Sequence, residues 1–461
     1  MRELVRQNFR FFLFATLAAL ALRLFFVFRF PAVVSDSLVY GDIAKNWLQH
    51  SIYGITGLGD ITPTYIRLPG YPAFLAAIFA IFGMEHYRAA LFVQIFVDTG
   101  TCFVIADIAR RLMNGRAAKA AFLAAALCPF MAAFAAAALT ETWEIFFTVL
   151  ALDLALTGLE DFGPFAAWLG CGLATGAAIL LRPDGGLLLA ALALFFLLLL
   201  MARKRPDEKA VAIVKAGAIV ACAALAPLIP WTLRNLHTFN EFQPLAPRYA
   251  NDSDDSVPYG FNRWVKTWMA DYASVEEIYW PVPGGSIDAD NLPSRAFDSD
   301  NQRNQTEELF NDYNKSLRIT PDLDARFEAL AAARIHHAPL RYYVWLPLLR
   351  IADMWLRPRT GTLPCNTRWW EFDEDPPWLA LGITLGLLNL ACVGAGVFGL
   401  WRIRFTPALG LLITFVLLRS AFLGTMENPE PRYTMECYPI VIVLLAANFR
   451  RKSPADQLAD A

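Results

Sequence analysis

The sequence predicts an all-α polytopic membrane protein of about ten transmembrane helices, about thirteen at the upper bound, with juxtamembrane helices and a mixed domain on the outer face. Three observations predict it. Of the 461 residues 56% are hydrophobic and only 18% are charged, too apolar a balance for an ordinary soluble chain. Apolar runs of about 20 residues, the length that crosses a hydrocarbon core as helix, recur along the chain. The short loops rich in Lys and Arg fall at alternate ends of those runs, as retention of positive charge on the cytoplasmic side requires.

The first run lies in "MRELVRQNFRFFLFATLAALALRLFFVFRFP", which has a basic flank, no small-residue cleavage site and too long an apolar stretch for a signal peptide, so it reads as a retained span. Spans are predicted near 9–30, 87–109, 118–139, 142–159, 164–181, 185–201, 211–230, 378–400, 406–424 and 433–449. Arg2, Arg6 and Arg10 precede the first; Arg110, Arg111, Arg116 and Lys119 follow the second; Arg203, Lys204 and Arg205 follow the sixth; Arg402 and Arg404 follow the eighth; Arg450, Arg451 and Lys452 follow the tenth. All five groups share one side, which places both termini in the cytoplasm and residues 31–86 and 231–377 outside. The loop "LEDFGP" after the fourth span carries no positive charge and lends this orientation no support. The chain therefore divides into an N-terminal transmembrane module, 1–230, with a first outer loop at 31–86; outer domain and loops, 231–377; and C-terminal transmembrane helices, 378–461.

On the outer side, "LPGYPAFLAAIFAIFG" (Leu68 to Gly83) is apolar but too short to span comfortably and should lie in the interface or dip into it. The segment "ARFEALAAARIHHAPLRYYVWLPLLRIADMWLRP" has a helical pattern broken at Pro339, and its second half alternates arginines with aromatics as an interfacial amphipathic helix does. A net charge of −2 argues against a nucleic-acid partner. The seven cysteines are scattered, mostly in apolar runs, and read as packing residues; no P-loop, G-x-G-x-x-G or H-E-x-x-H is present.

Several polar residues are candidates for chemistry. Asp36, just past the first span in "SDSLVYGDIAKNWLQHSIYG", is either an N-terminal cap or a catalytic acid. Asp42, three residues before Lys45, is expected to pair with it on a solvated helix face. Glu141, in "AAAALTETWEIFF", returns an acid to the outer level at the start of a helix, where the macrodipole also favours one. Arg67 in "YIRLPGYP", Arg182 in "LLRPDGG", Arg234 in "PWTLRN" and Arg432 in "NPEPRYTMECYP" lie at outer helix ends, where guanidinium forks suit a phosphate at the lipid surface; each alone could equally be an interfacial anchor. Arg23, inside the first span, is an intramembrane charge and a functional candidate for that reason. The acidic runs "NDSDD" and "DADN" read as solvated loops rather than cation sites.

Taken in order, "SDSLVYGDIAKNWLQHSIYG", "RLPGYPAFLAAIFAIFG", the threonine-glutamate turn after the third span, "LLRPDGG", "PWTLRN" and "RYTMECYP" resemble the GT-C membrane glycosyltransferases, in particular the protein O-mannosyltransferase and aminoarabinose-transferase branch, glycosyltransferase family 39 and its bacterial relatives. The resemblance covers most of the membrane part and leaves 240–330 unmatched. It implies a polyprenyl-phosphate-dependent glycosyltransferase of the inner membrane that moves a sugar, with inversion at the anomeric carbon, to a lipid, glycan or protein acceptor on the periplasmic face. Carried over by motif, the catalytic acids fall on Asp36 and Glu141 and the donor-phosphate arginines on Arg67, Arg234 and Arg432, with Arg182 added; Tyr40, Tyr65 and Tyr433 stand beside them as substrate-binding candidates. A divalent cation, Mg or Mn, is admitted as a cofactor on Asp36 and Glu141, although no Asp-x-Asp or Glu-x-Asp pair is present. Asp36 is expected to be the base, ideally with a pKa raised by partial desolvation. The readings left standing beside this one are a transporter or flippase, which tends to show paired broken helices and internal repeats absent from this pattern, and a non-catalytic scaffold with a sugar-binding outer domain.

Overall fold

The structure, a computed structural model, describes residues 1–57, 59–161, 165–203, 208–252, 255–371 and 375–450. Lys204, Arg205, Arg451 and Lys452, residues 162–164 of the loop after the fourth span, and Ser253 and Asp254 of the acidic run lie outside the described residues.

The protein is a mostly helical, multi-pass membrane protein. Six helices are long and apolar enough to cross a bilayer: Phe9–Arg29, Tyr87–Leu112, Glu141–Glu160, Pro183–Met201, Pro376–Arg402 and Pro407–Gly424. They leave Phe14, Phe28, Phe96 and Leu417 exposed, as a lipid-facing surface does. The other four predicted spans correspond to apolar helical segments of different construction. The third is Gly115–Ala126 and Pro129–Ala135, bent by 52°, and the seventh is Glu208–Leu225 and Leu228–Phe239, bent by 42°. Counting each bent pair as one span raises the number to eight. The fifth is the 17-residue helix Phe165–Leu181, and the last is a nine-residue helix, Tyr438–Ala446, flanked by the 3-10 turns Pro431–Cys437 and Ala447–Phe449. Proline explains the breaks. Pro129 and Pro227 lack an N–H and disfavour helix at the preceding residue, and Pro439 withholds a donor from the turn before it.

Bent pairs were not expected from the sequence. The bends fall between Ala126 and Pro129 and between Leu225 and Leu228. The first bend explains Arg23, which is fully buried: its guanidinium donates to the Ala125 carbonyl at 3.1 Å and the Ala126 carbonyl at 2.5 Å, and its Nε to Asp98 at 2.7 Å. The charge caps carbonyls that the break at Leu127 and Cys128 has released, while Asp98 neutralises it inside the bundle.

In the first outer loop, the helix Ser35–His50 leads into an antiparallel hairpin, Gly54–Gly57 with Asp60–Pro63. Asp42 pairs with Lys45 at 3.5 Å, as expected, and also accepts from the Thr56 backbone N–H at 2.6 Å, pinning the hairpin to the helix. The short apolar segment forms the helix Gly70–Phe82, packed through Tyr71, Leu75 and Phe79. Gly70 is required there, since a Cβ would stand 2.6 Å from the Leu180 carbonyl oxygen.

The outer region has its own core, in which Phe261, Trp264, Trp268, Phe310 and Phe327 are buried together, contributed largely by helices Tyr259–Lys266, Asp300–Ser316 and Pro321–His337. The helical pattern breaks at Ala338 and resumes through Leu346–Leu356. Tyr343, Trp345, Leu348 and Leu349 on this segment are exposed while Arg350 is fully buried, the division expected of an interfacial helix. Arg350 donates to the carbonyls of Lys266, Met269 and Gly424, tying the outer core to the end of a membrane helix. One acidic run departs from its solvated reading: Asp252 accepts from the Thr64 hydroxyl at 2.8 Å and the Tyr65 N–H at 3.1 Å, latching the two outer segments together. Asp288 behaves as a turn residue, accepting from the Asp290 N–H at 3.0 Å. Among the described residues the seven cysteines form no disulfide.

Candidate active site

A cavity of about 1360 Å³ lies between the outer ends of the membrane helices and the outer core, with Asp36, Arg67, Glu141, Arg182 and Arg432 in its wall. Its lining residues include six arginines (67, 182, 248, 357, 359 and 432) against five carboxylates (36, 141, 184, 427 and 430), a slight positive excess.

Asp36 sits in the first turn of Ser35–His50 but does not cap it. The helix starts after Val34, whose N–H is satisfied by the Ser37 hydroxyl at 3.1 Å, which leaves the Asp36 carboxylate free to face the cavity. There it stands between two guanidiniums: Arg67 Nη2 at 3.0 Å from one oxygen and Arg432 Nη1 at 3.4 Å from the other. Burial pushes the Asp36 carboxyl up, but Arg432 and Arg67 outweigh it and hold the group below its ordinary value. This reverses the raised pKa expected for a base in a partly desolvated site. The two cations sit too close for desolvation to prevail.

Glu141 is 1% exposed and begins Glu141–Asp161. Arg182 Nη1 lies 3.5 Å and Arg432 Nη1 3.8 Å from its Oε1, and its Oε2 has no hydrogen-bond partner among the described residues. Arg432 therefore joins the two predicted acids. Its Nε donates to Glu430 at 2.5 Å, and burial, which alone would lower its pKa, is overridden by surrounding carboxylates, chiefly Glu430. The 3-10 turn carrying Arg432 is braced by Arg359, which donates to the Pro431 carbonyl at 2.9 Å and the Thr434 hydroxyl at 2.6 Å.

Behind Arg182 the network continues into the bundle. Arg182 Nε lies 3.1 Å from Asp184, and Arg419 Nη2 lies 2.8 Å from both Asp184 and Glu436 and 3.5 Å from Glu144. Glu430, Glu144, Asp184, Arg419 and Glu436 were not singled out from the sequence. The rule that flagged Arg23, a charge inside an apolar run, applies equally to Arg419 in "FVLLRSAF" and to Glu144. Nothing local marks Glu430.

Of the tyrosine candidates, Tyr40 and Tyr433 line the cavity. Arg67 stacks over Tyr40 at 5.7 Å, and Arg182 over Tyr433 at 4.9 Å, whose hydroxyl donates to Glu430 at 2.6 Å. Tyr65 and Arg234 are not brought to the cavity. Tyr65 donates to Glu241 at 3.0 Å. Arg234 donates to the carbonyls of Tyr53 and Thr64 at 2.7 and 2.8 Å amid the rings of Tyr53, Trp231 and Phe239, a structural staple for the hairpin. Both carboxylates of the predicted cation pair contact the Arg432 guanidinium, and among the described residues no group of three His, Cys, Asp or Glu is gathered.

A family model described as dolichyl-phosphate-mannose-protein mannosyltransferase matches residues 66–231. The oligosaccharyltransferase of Archaeoglobus fulgidus tethered to an acceptor peptide superposes with a TM-score of 0.53 at 12% identity, over 95% of this chain and 49% of that one. The archaeal oligosaccharyltransferase AglB from the same organism, in complex with an inhibitory peptide and a dolichol-phosphate, gives 0.52 at 14% identity, over 96% and 50%. The chain shares the fold of the matched half of these oligosaccharyltransferases. ArnT from Cupriavidus metallidurans bound to undecaprenyl phosphate matches 96% of this chain and 78% of its own at 13% identity, with a TM-score of 0.43. The chain spans about half the length of the oligosaccharyltransferases it matches. No curated protein matches it. The family match covers Arg67, Glu141 and Arg182 but neither Asp36 nor Arg432.

Proposed function

We propose that this chain is an inverting glycosyltransferase that moves a sugar from a polyprenyl-phosphate donor to an acceptor hydroxyl on the periplasmic face of the membrane. The observation that carries the reading is Asp36, a carboxylate in the wall of a large outer cavity, clasped by two arginines contributed by segments 396 residues and 31 residues away. A family model named for a dolichyl-phosphate-mannose donor, and a GT-C neighbour described with a bound dolichol-phosphate, support a lipid phosphate as the donor's leaving group.

The chemistry follows from the residues. Asp36 accepts the acceptor hydroxyl proton as its oxygen bonds to the anomeric carbon. The bond from that carbon to the phosphate oxygen breaks on the opposite side, and the electron pair leaves with the lipid phosphate. Arg67 and Arg432 neutralise the charge growing on that phosphate, the electrostatic contribution that is usually largest. When the phosphate takes up the two guanidiniums, Asp36 loses the cations that depress its pKa, which makes it a better base once the donor is seated. Glu141, which contacts Arg182 and Arg432, sets their position. Arg234 takes no part in this site.

The test is transfer from synthetic polyprenyl-phosphate sugars by the purified protein in nanodiscs, followed by release of the lipid phosphate. Asp36→Asn should abolish turnover at unchanged folded yield. Full activity in that variant, or a wild-type protein that neither binds nor consumes any polyprenyl-phosphate lipid, overturns the reading.

A further inference from the structure

A second cavity of about 660 Å³ adjoins the first, within the roughly 300–1,000 Å³ range of small-molecule sites. The two share Arg248, Tyr249, Pro258, Asn262 and Glu427 in their linings. Glu427, in both linings, is five positions before Arg432, in the segment that leads into the 3-10 turn carrying that arginine to Asp36.

Most polar groups in its lining are spent within the protein. Arg248 pairs with Glu427, and Arg263 with Glu328. Asp324 accepts the backbone N–H groups of Gly260 and Phe261 at 3.0 and 2.9 Å. Asn262 and Lys266 are among the groups that are not spent. Asn262 is only 6% exposed and faces both cavities, yet its side-chain amide makes no hydrogen bond among the described residues. The Lys266 ammonium makes no ion pair among the described residues and stands 5.9 Å from the Tyr342 ring; burial lowers its pKa, partly opposed by Glu427. Beside them Tyr249 and Tyr259 line the cavity, packed edge to face at 5.8 Å, with the Arg248 guanidinium 5.2 Å from the Tyr249 ring centroid.

We propose that the second cavity is the acceptor subsite and that the acceptor is a saccharide bearing an anionic group, its ring on Tyr249 and Tyr259, its hydroxyls on the Asn262 amide and its anion on Lys266. Aromatic faces suit the apolar faces of sugar rings, an amide offers both donor and acceptor to a hydroxyl, and an unpaired ammonium calls for a carboxylate or phosphate. The lining is too charged for an acyl chain. It is built from helices and a loop and presents no strand edge with which an extended peptide could pair. That this molecule is an acceptor rests on the glycosyltransferase reading; that it is an anionic saccharide rests on the cavity alone.

The experiment uses full-length protein in nanodiscs on an array of neutral, uronic-acid and phosphorylated oligosaccharides, with arrayed peptides and empty nanodiscs as controls, and undecaprenyl-phosphate binding measured in parallel. Wild type should bind anionic oligosaccharides, the uronic and phosphorylated arms separating the two sources of charge. Lys266→Met should weaken that binding about tenfold to hundredfold, Lys266→Arg should restore it, and Asn262→Ala should weaken binding of every saccharide retained. Undecaprenyl-phosphate binding should be unchanged in all three variants, which also reports that they fold. Equal binding of neutral and anionic saccharides, binding unaffected by Lys266→Met, or preference for peptides overturns the proposal. Absence of saccharide binding with intact lipid-phosphate binding overturns it alone; loss of lipid-phosphate binding in wild type overturns the function proposed above instead.

Discussion

Replacing Asp36 with Asn should move binding and catalysis in opposite directions. In the resting site the carboxylate occupies Arg67 at 3.0 Å and Arg432 at 3.4 Å, the guanidiniums assigned to the donor phosphate. A phosphate must displace it from both. One direct charge-assisted contact contributes about 1.5–3 kcal/mol net, and the second, at 3.4 Å, adds little. Because the Asp36 side chain is 31% exposed, solvent screening reduces the total to about 1–2 kcal/mol. Asp36→Asn should therefore bind undecaprenyl phosphate roughly 5- to 30-fold more tightly, while transfer falls by about 10²–10⁴ with loss of the base. The assay is equilibrium binding of undecaprenyl phosphate to protein in nanodiscs, beside turnover of the polyprenyl-phosphate sugar. A merely structural Asp36 would lower both quantities. Unchanged or weaker lipid-phosphate binding in the variant refutes the competition between carboxylate and phosphate.

The same competition has a pH signature. A ligand that takes Arg67 and Arg432 from Asp36 raises that carboxyl from its depressed resting value, so binding takes up a proton and affinity climbs as pH falls from neutral toward about 4. Asp36→Asn should remove this part of the slope, the lipid's own titration being common to both proteins. In the absence of ligand the depressed pKa acts on stability: the Asp36 pairing stabilises the fold above the carboxyl's ordinary range and is lost as pH falls through the lowered folded value. Arg23→Met should cost about 3–5 kcal/mol by leaving Asp98 buried without its cation, and adding Asp98→Leu should recover much of it; thermal unfolding in detergent that ranks the double variant no better than the single assigns the loss to the uncapped carbonyls at the bend. Gly399→Ala would place a Cβ 1.9 Å from the Leu444 carbonyl oxygen and should cost about 1–3 kcal/mol, whereas Gly394→Ala, on the same helix and open for 4 Å, should be nearly neutral by the same measurement. Cysteines introduced at Ser35 and Asn428 should react with a membrane-impermeant thiol reagent from the periplasmic side; labelling only from the cytoplasm inverts the orientation.

The membrane architecture and part of the site are legible in the residues themselves. Hydropathy is a local property, so each of the ten predicted spans coincides with an apolar helical segment, and the amphipathic stretch around Arg350 divides into the expected exposed and buried faces. Span number is less legible, because the bends at Pro129 and Pro227 depend on how neighbours satisfy the released backbone groups, as Arg23 does for Ala125 and Ala126. Among site residues, Asp36, Arg67, Glu141, Arg182 and Arg432 meet in one cavity wall, while Arg234 and Tyr65, equally suggestive by position, are spent on the hairpin and outer loops. Motif position places a residue near one end of a membrane helix. It does not say which of several directions its side chain takes there.

Composition and pattern thus suffice for a helical membrane protein and for an acid at the end of its first span, since apolar length and charge placement act within a few turns of chain. The electrostatic character of that acid could not be read the same way. It depends on Arg432, 396 residues away in sequence and 3.4 Å away in space, and Coulomb interactions follow spatial separation. The local reading expected burial to raise the Asp36 pKa; the assembled fold adds two guanidiniums and lowers it. The second cavity is likewise a product of assembly, because Arg248, Tyr249, Ser256, Val257 and Pro258, the helices Tyr259–Lys266 and Pro321–His337 and the segment at Glu427 enclose it only once the outer core has packed.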